Sequence, residues 1–237
     1  MAAAERVRLT YAFDPYCPWC YGFGPALRSF TQDNAHRIRL RIRLRIRPAG
    51  LYTGARARPV SAYPRTAEEC ERVTRLTGVG FGAGFAQALT DGTTVADSTA
   101  AAAGLAVLYS RADEVGVPHL DAAEAVQMAW FVDGRSLADP EVYRDIADGL
   151  GLDASLVTAA YASPAPWEQA RADFRALRRL RVTTYPTLLL HTAHGAGRLG
   201  GAASTAASLT AALNQCLAPA FPRPSFTPPP VSQGELS

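Results

Sequence analysis

Apolar and polar residues alternate over residues 7–13, with Val7, Leu9, Tyr11 and Phe13 on one side and Arg8, Thr10 and Ala12 on the other. That period of two predicts a strand, and Asp14-Pro15 ends it with a turn signal. In the next segment, PWCYGFGPALRSFTQDN, Leu27 and Phe30 recur at helical spacing behind a proline at the first helical position. Gly22, Gly24 and Pro25 place a bend near the start of this helix. Cys17 falls where the strand gives way to the helix.

A second alternation, RIRLRIRLRIR over residues 37–47, puts Arg at every odd position and Ile or Leu at every even one. Ile38, Leu40, Ile42, Leu44 and Ile46 are expected to face a core while the arginines face water. A typical strand is about 5–6 residues, so part of the run is assigned to the approach from the helix. A row of charge also protects an exposed sheet edge from pairing with another chain.

Residues 60–180 change to helical periodicity, with helices expected over 66–77, 98–110, 121–132, 140–150, 154–161 and 166–180. Asp97 or Ser98, Asp121 and Asp139 are the expected N-caps, and Gly78, Gly134 and Gly149 or Gly151 the expected stops. Met128, Trp130 and Phe131 read as core residues of this block. Strand character returns in PTLLLHT at 186–192, Gly195 and Gly197 turn into a short strand around Arg198-Leu199, and a final helix ends near Leu217. Proline dominates residues 219–237, which read as an extended or disordered tail.

Strand, helix, strand, a helical block, two strands and a helix describe an α/β sheet whose long crossover holds a second subdomain. The expected boundaries are 1–60 and 180–218 for the sheet domain and 61–179 for the inserted helices. Ligands bind such sheets at the C-terminal ends of their parallel strands, which is where Cys17 falls.

Composition narrows the chemistry. With 237 residues, 48% of them hydrophobic, the chain can bury a core without staples. Its four cysteines, Cys17, Cys20, Cys70 and Cys216, are too scattered for a secreted disulfide framework. No secretory signal and no apolar run of membrane-spanning length are visible, so a cytoplasmic protein without a membrane partner is expected. There a disulfide is transient and catalytic rather than structural. All 24 basic residues are arginine, yet the net charge is only +3. That balance does not suggest a nucleic-acid partner.

The pair Cys17-Pro-Trp-Cys20 opens the first helix. A thiol there meets unsatisfied backbone N–H groups and the positive end of the helix dipole, both of which favour the thiolate. In such motifs the first cysteine has its pKa lowered to roughly 3.5–7.5. Three residues on, Cys20 returns to the same side, within reach of a mixed disulfide at Cys17. Pro18 fixes the first helical φ without costing a hydrogen bond, and Trp19 offers apolar surface beside the sulfur. Zinc capture would need two more ligands. His191 and His194 are spaced too closely for the common pattern, and Cys70 and Cys216 stand alone. Two incidental buried cysteines are the remaining alternative. A second signal is Thr184-Tyr185-Pro186 before the apolar run. A cis Tyr185–Pro186 bond would hold the Tyr185 backbone against the cysteine pair, free to pair with substrate.

Together, YAFDPYCPWCYGFGP and the distant VTTYPTLLL, with helices between, resemble the DsbA-like thioredoxin-fold oxidoreductases, specifically their cytoplasmic FrnE-type branch of dithiol–disulfide isomerases. The D-P-x-C-x-W-C-Y-G core at residues 14–22 is the most specific part, and the resemblance spans roughly residues 6–217. It implies a thioredoxin fold with an inserted α-helical subdomain, Cys17 as nucleophile, Cys20 as resolving thiol and Pro186 as the cis-proline. Pro18, Trp19, Tyr21, Thr184, Tyr185 and Pro186 are then the candidate substrate contacts.

The expected function is thiol–disulfide exchange on a protein or small-molecule substrate, with a recycling thiol or disulfide partner. No cofactor is expected beyond glutathione as a thiol co-substrate, and no metal. Two alternatives remain on the same scaffold. One is a glutathione-dependent isomerase or kappa-class-like transferase that would leave Cys20 idle. The other is a chaperone-like peptide-binding module switched by the cysteines. Cys70 and Cys216 are expected to be free and buried.

Overall fold

The computed structural model describes residues 7–40, 42–192 and 195–217; the proline-rich tail and His194 lie outside them. Strand β1 (Val7–Phe13) leads into α1 (Pro18–Asp33), then α2 (Ala35–Leu40) and β2 (Ile42–Pro48). The short β3 (Arg58–Pro59) follows, then α3 (Thr66–Thr77), α4 (Ala83–Asp91) and the short β4 (Val95–Ala96). Five helices come next: α5 (Ser98–Val115), α6 (His119–Phe131), α7 (Pro140–Gly149), α8 (Ala154–Tyr161) and α9 (Pro164–Arg179). The chain returns through β5 (Thr187–Thr192) and β6 (Gly195–Gly201) and ends in α10 (Ala206–Leu217). This is a thioredoxin fold with a helical insertion.

The main sheet has the order β2-β1-β5-β6. β1 pairs parallel with β2, Leu9 opposite Leu44, and antiparallel with β5, Leu9 opposite Leu190. A central strand is covered on both sides, which explains why the polar side of β1 is also buried. Ala12 packs in a cluster with Ala49, Leu177, Val182 and Leu189. The Thr10 hydroxyl is hydrogen-bonded to His191 Nε2 at 2.9 Å, so the sheet satisfies that histidine.

Helix α1 lies against α3 and α6. Gly22 lets α3 approach so closely that a Cβ there would sit 2.4 Å from Val73 Cγ1. On the α6 side, Arg28 donates to Asp121 at 2.6 Å and to Glu124 at 2.5 Å. The insertion is built around α5, whose Ala-Ala-Ala-Ala-Gly stretch has no bulky side chains to hold neighbours off, and Gly104 receives the ring of Tyr143.

Five expectations need correction. Helix α4 was not expected, because Gly80, Gly82 and Gly84 mask its apolar positions; Gly82 and Gly84 are required by close contact with the backbone of Val132 and Asp133. Asp121 does not cap α6, which begins two residues earlier behind Pro118, leaving Asp121 in the first turn to meet Arg28. Met128 is 52% exposed while its neighbours Trp130 and Phe131 are buried. Cys216 is free but exposed rather than buried. The arginine run splits between α2 and β2, and Arg47 meets Asp173 of α9 instead of open water.

Candidate functional site

The N-terminus of α1 is where the chain concentrates reactive groups. Cys17 is the N-cap, with φ −85° and ψ 113°, and its sulfur accepts the backbone N–H of Cys20 at 3.4 Å. The Cys17 carbonyl accepts from the N–H groups of Cys20 and Tyr21 at 3.0 and 3.1 Å, closing the first turn. Ser, Thr, Asp and Asn normally cap by offering an oxygen to an orphan N–H; here a sulfur takes that place. Both thiols are free.

The two cysteines differ in surroundings. Cys17 is 5% exposed and Cys20 fully buried. Burial first, then the hydrogen bond and charge interaction with Cys17, push the Cys20 thiol well above its usual range, while the Asp14 backbone N–H pulls the other way. Cys20 is therefore held as a protonated thiol at neutral pH. Its carbonyl accepts from the buried Tyr11 hydroxyl at 3.4 Å.

Of the expected contacts, Pro186 and Tyr185 come to the cysteines. The Tyr185–Pro186 peptide is cis, and the Cys17 thiol is 3.8 Å from the Tyr185 carbonyl oxygen in donor geometry. Burial, then the charges of Asp14 and Cys20, raise the Tyr185 phenol above its ordinary value. Pro18 is buried at the first helical position. Thr184 is exposed; its carbonyl accepts from the Thr187 hydroxyl at 2.7 Å.

Trp19 and Tyr21 sit otherwise. Trp19 is fastened to α3: its indole N–H donates to Glu69 at 2.7 Å, and the Arg72 guanidinium lies 5.5 Å from the ring centroid. The face expected to offer free apolar surface thus carries a cation. The Tyr21 ring stacks on Phe131 at 4.9 Å and leans on Phe81 at 5.4 Å, turned toward α6.

Asp14 opens the D-P-x-C-x-W-C-Y-G core, but the sequence gives it no role beyond a turn. Fully buried, it accepts the Tyr16 N–H at 3.1 Å through one oxygen and the Leu51 N–H at 2.9 Å through the other. Its own carbonyl accepts the Cys17 N–H at 3.0 Å. Burial raises its carboxyl from 3.8 to about 6 against the opposing bonds from Leu51, Ser98 and Tyr16. The available signal was its place three residues before Cys17. Tyr16 completes the wall, edge-on to Trp130 at 5.3 Å and to Tyr52 at 6.2 Å.

Cys70, on α3 next to Glu69, is also buried; desolvation, then the charges of Glu69 and Cys17, push its thiol up to about 12.

The chain is similar to several solved structures. The cytosolic disulfide reductase DsbM from Pseudomonas aeruginosa superimposes with a TM-score of 0.71 at 25% identity, covering 88% of this chain and 98% of that one. The same protein solved with glutathione gives 0.67 at 26%, with the same coverage. A probable DsbA oxidoreductase from Streptomyces coelicolor gives 0.61 at 29%, covering 92% of this chain and 93% of that one. No curated protein matches by sequence. None of these solved structures is named as FrnE-type. Residues 8–209, which include the cysteine pair and Pro186, match the DSBA-like thioredoxin domain, and the chain belongs to that family.

Proposed function

We propose that this protein is a thiol–disulfide oxidoreductase acting in the reducing direction, with Cys17 as nucleophile, Cys20 as resolving thiol and glutathione as the recycling thiol. The supporting observation is the capped sulfur: Cys17 accepts an N–H at the start of α1 while Cys20, one turn on, is buried and protonated. The Cys17 thiolate attacks one sulfur of a substrate disulfide, forming a mixed disulfide and releasing the other sulfur as a thiolate, which takes up a proton. Cys20 then loses its proton and attacks the Cys17 sulfur, expelling the second substrate thiol and leaving a Cys17–Cys20 disulfide. Two glutathione thiols return the pair to the dithiol and leave as glutathione disulfide.

Asp14 and Tyr11 touch the turn that carries Cys20 and position it. Tyr185 presents backbone beside the sulfur for a substrate chain to pair with, next to the buried Pro186, and Thr184 lies at the exposed rim. Isomerisation is the same chemistry with a substrate thiol, instead of Cys20, resolving the mixed disulfide. A relative named as a cytosolic disulfide reductase, also solved with glutathione, supports the direction, the co-substrate and a cytoplasmic setting. Among the described residues no helix is long and apolar enough to cross a membrane.

The test is glutathione-dependent reduction of insulin and of bis(2-hydroxyethyl) disulfide. The wild type is expected to turn both over, Cys17→Ser neither. Full turnover in Cys20→Ser would reassign the protein to chemistry that uses a single thiol.

A further inference from the structure

The arginine run has no part in the thiol chemistry, yet it lines a broad groove away from the cysteine pair. We propose that the outer edge of β2 docks an extended segment of a partner protein in which acidic and apolar residues alternate.

β2 is the last strand of the sheet, so one of its edges has no strand beyond it among the described residues. A groove of about 850 Å³ reaches all five successive residues from Arg43 to Arg47. Successive side chains point to opposite faces of a sheet, so a cavity that touches every one of them runs along the strand's edge. Edge backbone N–H and C=O groups are a template for an added strand. The far wall comes from α5 and its connection to α6.

Charge selects the occupant. Three carboxylates line the groove, and each is already taken: Asp113 by His119 at 2.9 Å, Asp121 by Arg28 at 2.6 Å and Asp173 by Arg47. Arg43 and Arg45 have no ion-pair partner among the described residues. Burial, and then the nearby charges of Arg43, Arg47 and Arg8, work against the charge on Arg45, while Asp173 offsets part of this; an incoming carboxylate would add to that relief. Tyr109, which also lines the groove, has a buried hydroxyl without a hydrogen-bond partner among the described residues. Arg43, Arg45 and Arg47 share one face of β2 while Leu44 and Ile46 share the other. A strand added alongside therefore needs acidic residues opposite the arginines and apolar ones between them. Pairing of two β2 edges would set arginine against arginine, so a second copy is disfavoured.

The probe is a fluorescein-labelled peptide of alternating Glu and Val, titrated by anisotropy at low and at physiological salt. Saturable binding is expected, weaker at higher salt. Arg43→Gln/Arg45→Gln should weaken it by about three- to tenfold, the scale of two exposed ion pairs. A proline in place of the central valine, which removes a backbone donor, should abolish it, and so should Lys in place of Glu. Absence of saturable binding by the wild type overturns the proposal, as does equal binding by the double variant or by the proline peptide. Dimerisation in sedimentation that disappears in the double variant would give the edge to a second copy and overturn it too. None of these readouts involves disulfide exchange, so the result is independent of the function proposed for Cys17.

Discussion

The sulfur of Cys17 and the carbonyl oxygen of Tyr185 stand 3.8 Å apart although 168 residues separate them in the chain. One belongs to the cap of α1, the other to the approach to β5, and the antiparallel pairing of β5 with β1 brings the two together. The Cys17 sulfur thereby stands between a helix N–H group and a segment of polar backbone.

Selective alkylation should separate the four thiols by their surroundings rather than by exposure alone, since Cys17 is 5% and Cys70 6% exposed. At neutral pH, iodoacetamide is expected to modify Cys17 and the exposed Cys216 while Cys20 and Cys70 stay unmodified, because burial raises both of the latter. Peptide mapping by mass spectrometry reads the order. Modification of Cys70 before Cys17 would contradict the geometry at the α1 cap.

Stability should fall as pH rises through the range set by Asp14. Its folded pKa of about 6 lies above the ordinary value of 3.8, so between these values the folded chain holds a proton that the unfolded chain has released. The cost is absent below about pH 4 and complete above about pH 6. The shift of about two units corresponds to about 3 kcal/mol. Asp14→Asn is expected to flatten this slope in urea titrations taken across that range. It should also lower stability at acid pH by about 1–3 kcal/mol, because one N–H of Tyr16 or Leu51 then faces an amide donor.

Gly22→Ala should force α1 and α3 apart. The new methyl group would lie 2.4 Å from Val73 Cγ1 and 3.3 Å from Thr77, an overpacking worth about 1–3 kcal/mol. Combining it with Val73→Ala is expected to restore part of the loss, giving a favourable coupling in the double-mutant cycle. Simple additivity would show that the helices are not held at this distance by Gly22.

Trp19→Phe is expected to cost about 1 kcal/mol in thermal or urea unfolding, since it keeps a ring under Arg72 but removes the N–H donated to Glu69. Adding Glu69→Ala to that variant should cost little more. A further loss as large as the first would mean that Glu69 acts elsewhere.

Local pattern made much of this architecture readable. Alternation located β1, and the bounds expected for α3 and α8 coincide with the observed helices, because short-range periodicity and caps determine those segments. Asp97 and Asp139 cap their helices through side-chain bonds to the next turn. What escaped was tertiary. Asp14 looks like half of a turn until Leu51 and Ser98, far along the chain, close over it. Trp19 looks free until α3 brings Glu69 and Arg72 to it. Met128 reads as core by hydrophobicity, but the side of α6 it occupies is left open. Helix α4 depends on glycines that fit against a distant backbone, and no local rule favours them in a helix.

The most direct test is to incubate Cys20→Ser with glutathione disulfide and map the adduct. Attack by Cys17 with no resolving thiol predicts a lasting glutathione mixed disulfide at Cys17, formed faster than any at Cys216, whereas the wild type releases glutathione and ends as the Cys17–Cys20 disulfide. An adduct confined to Cys216, or none at all, would show that the capped sulfur is not the attacking group.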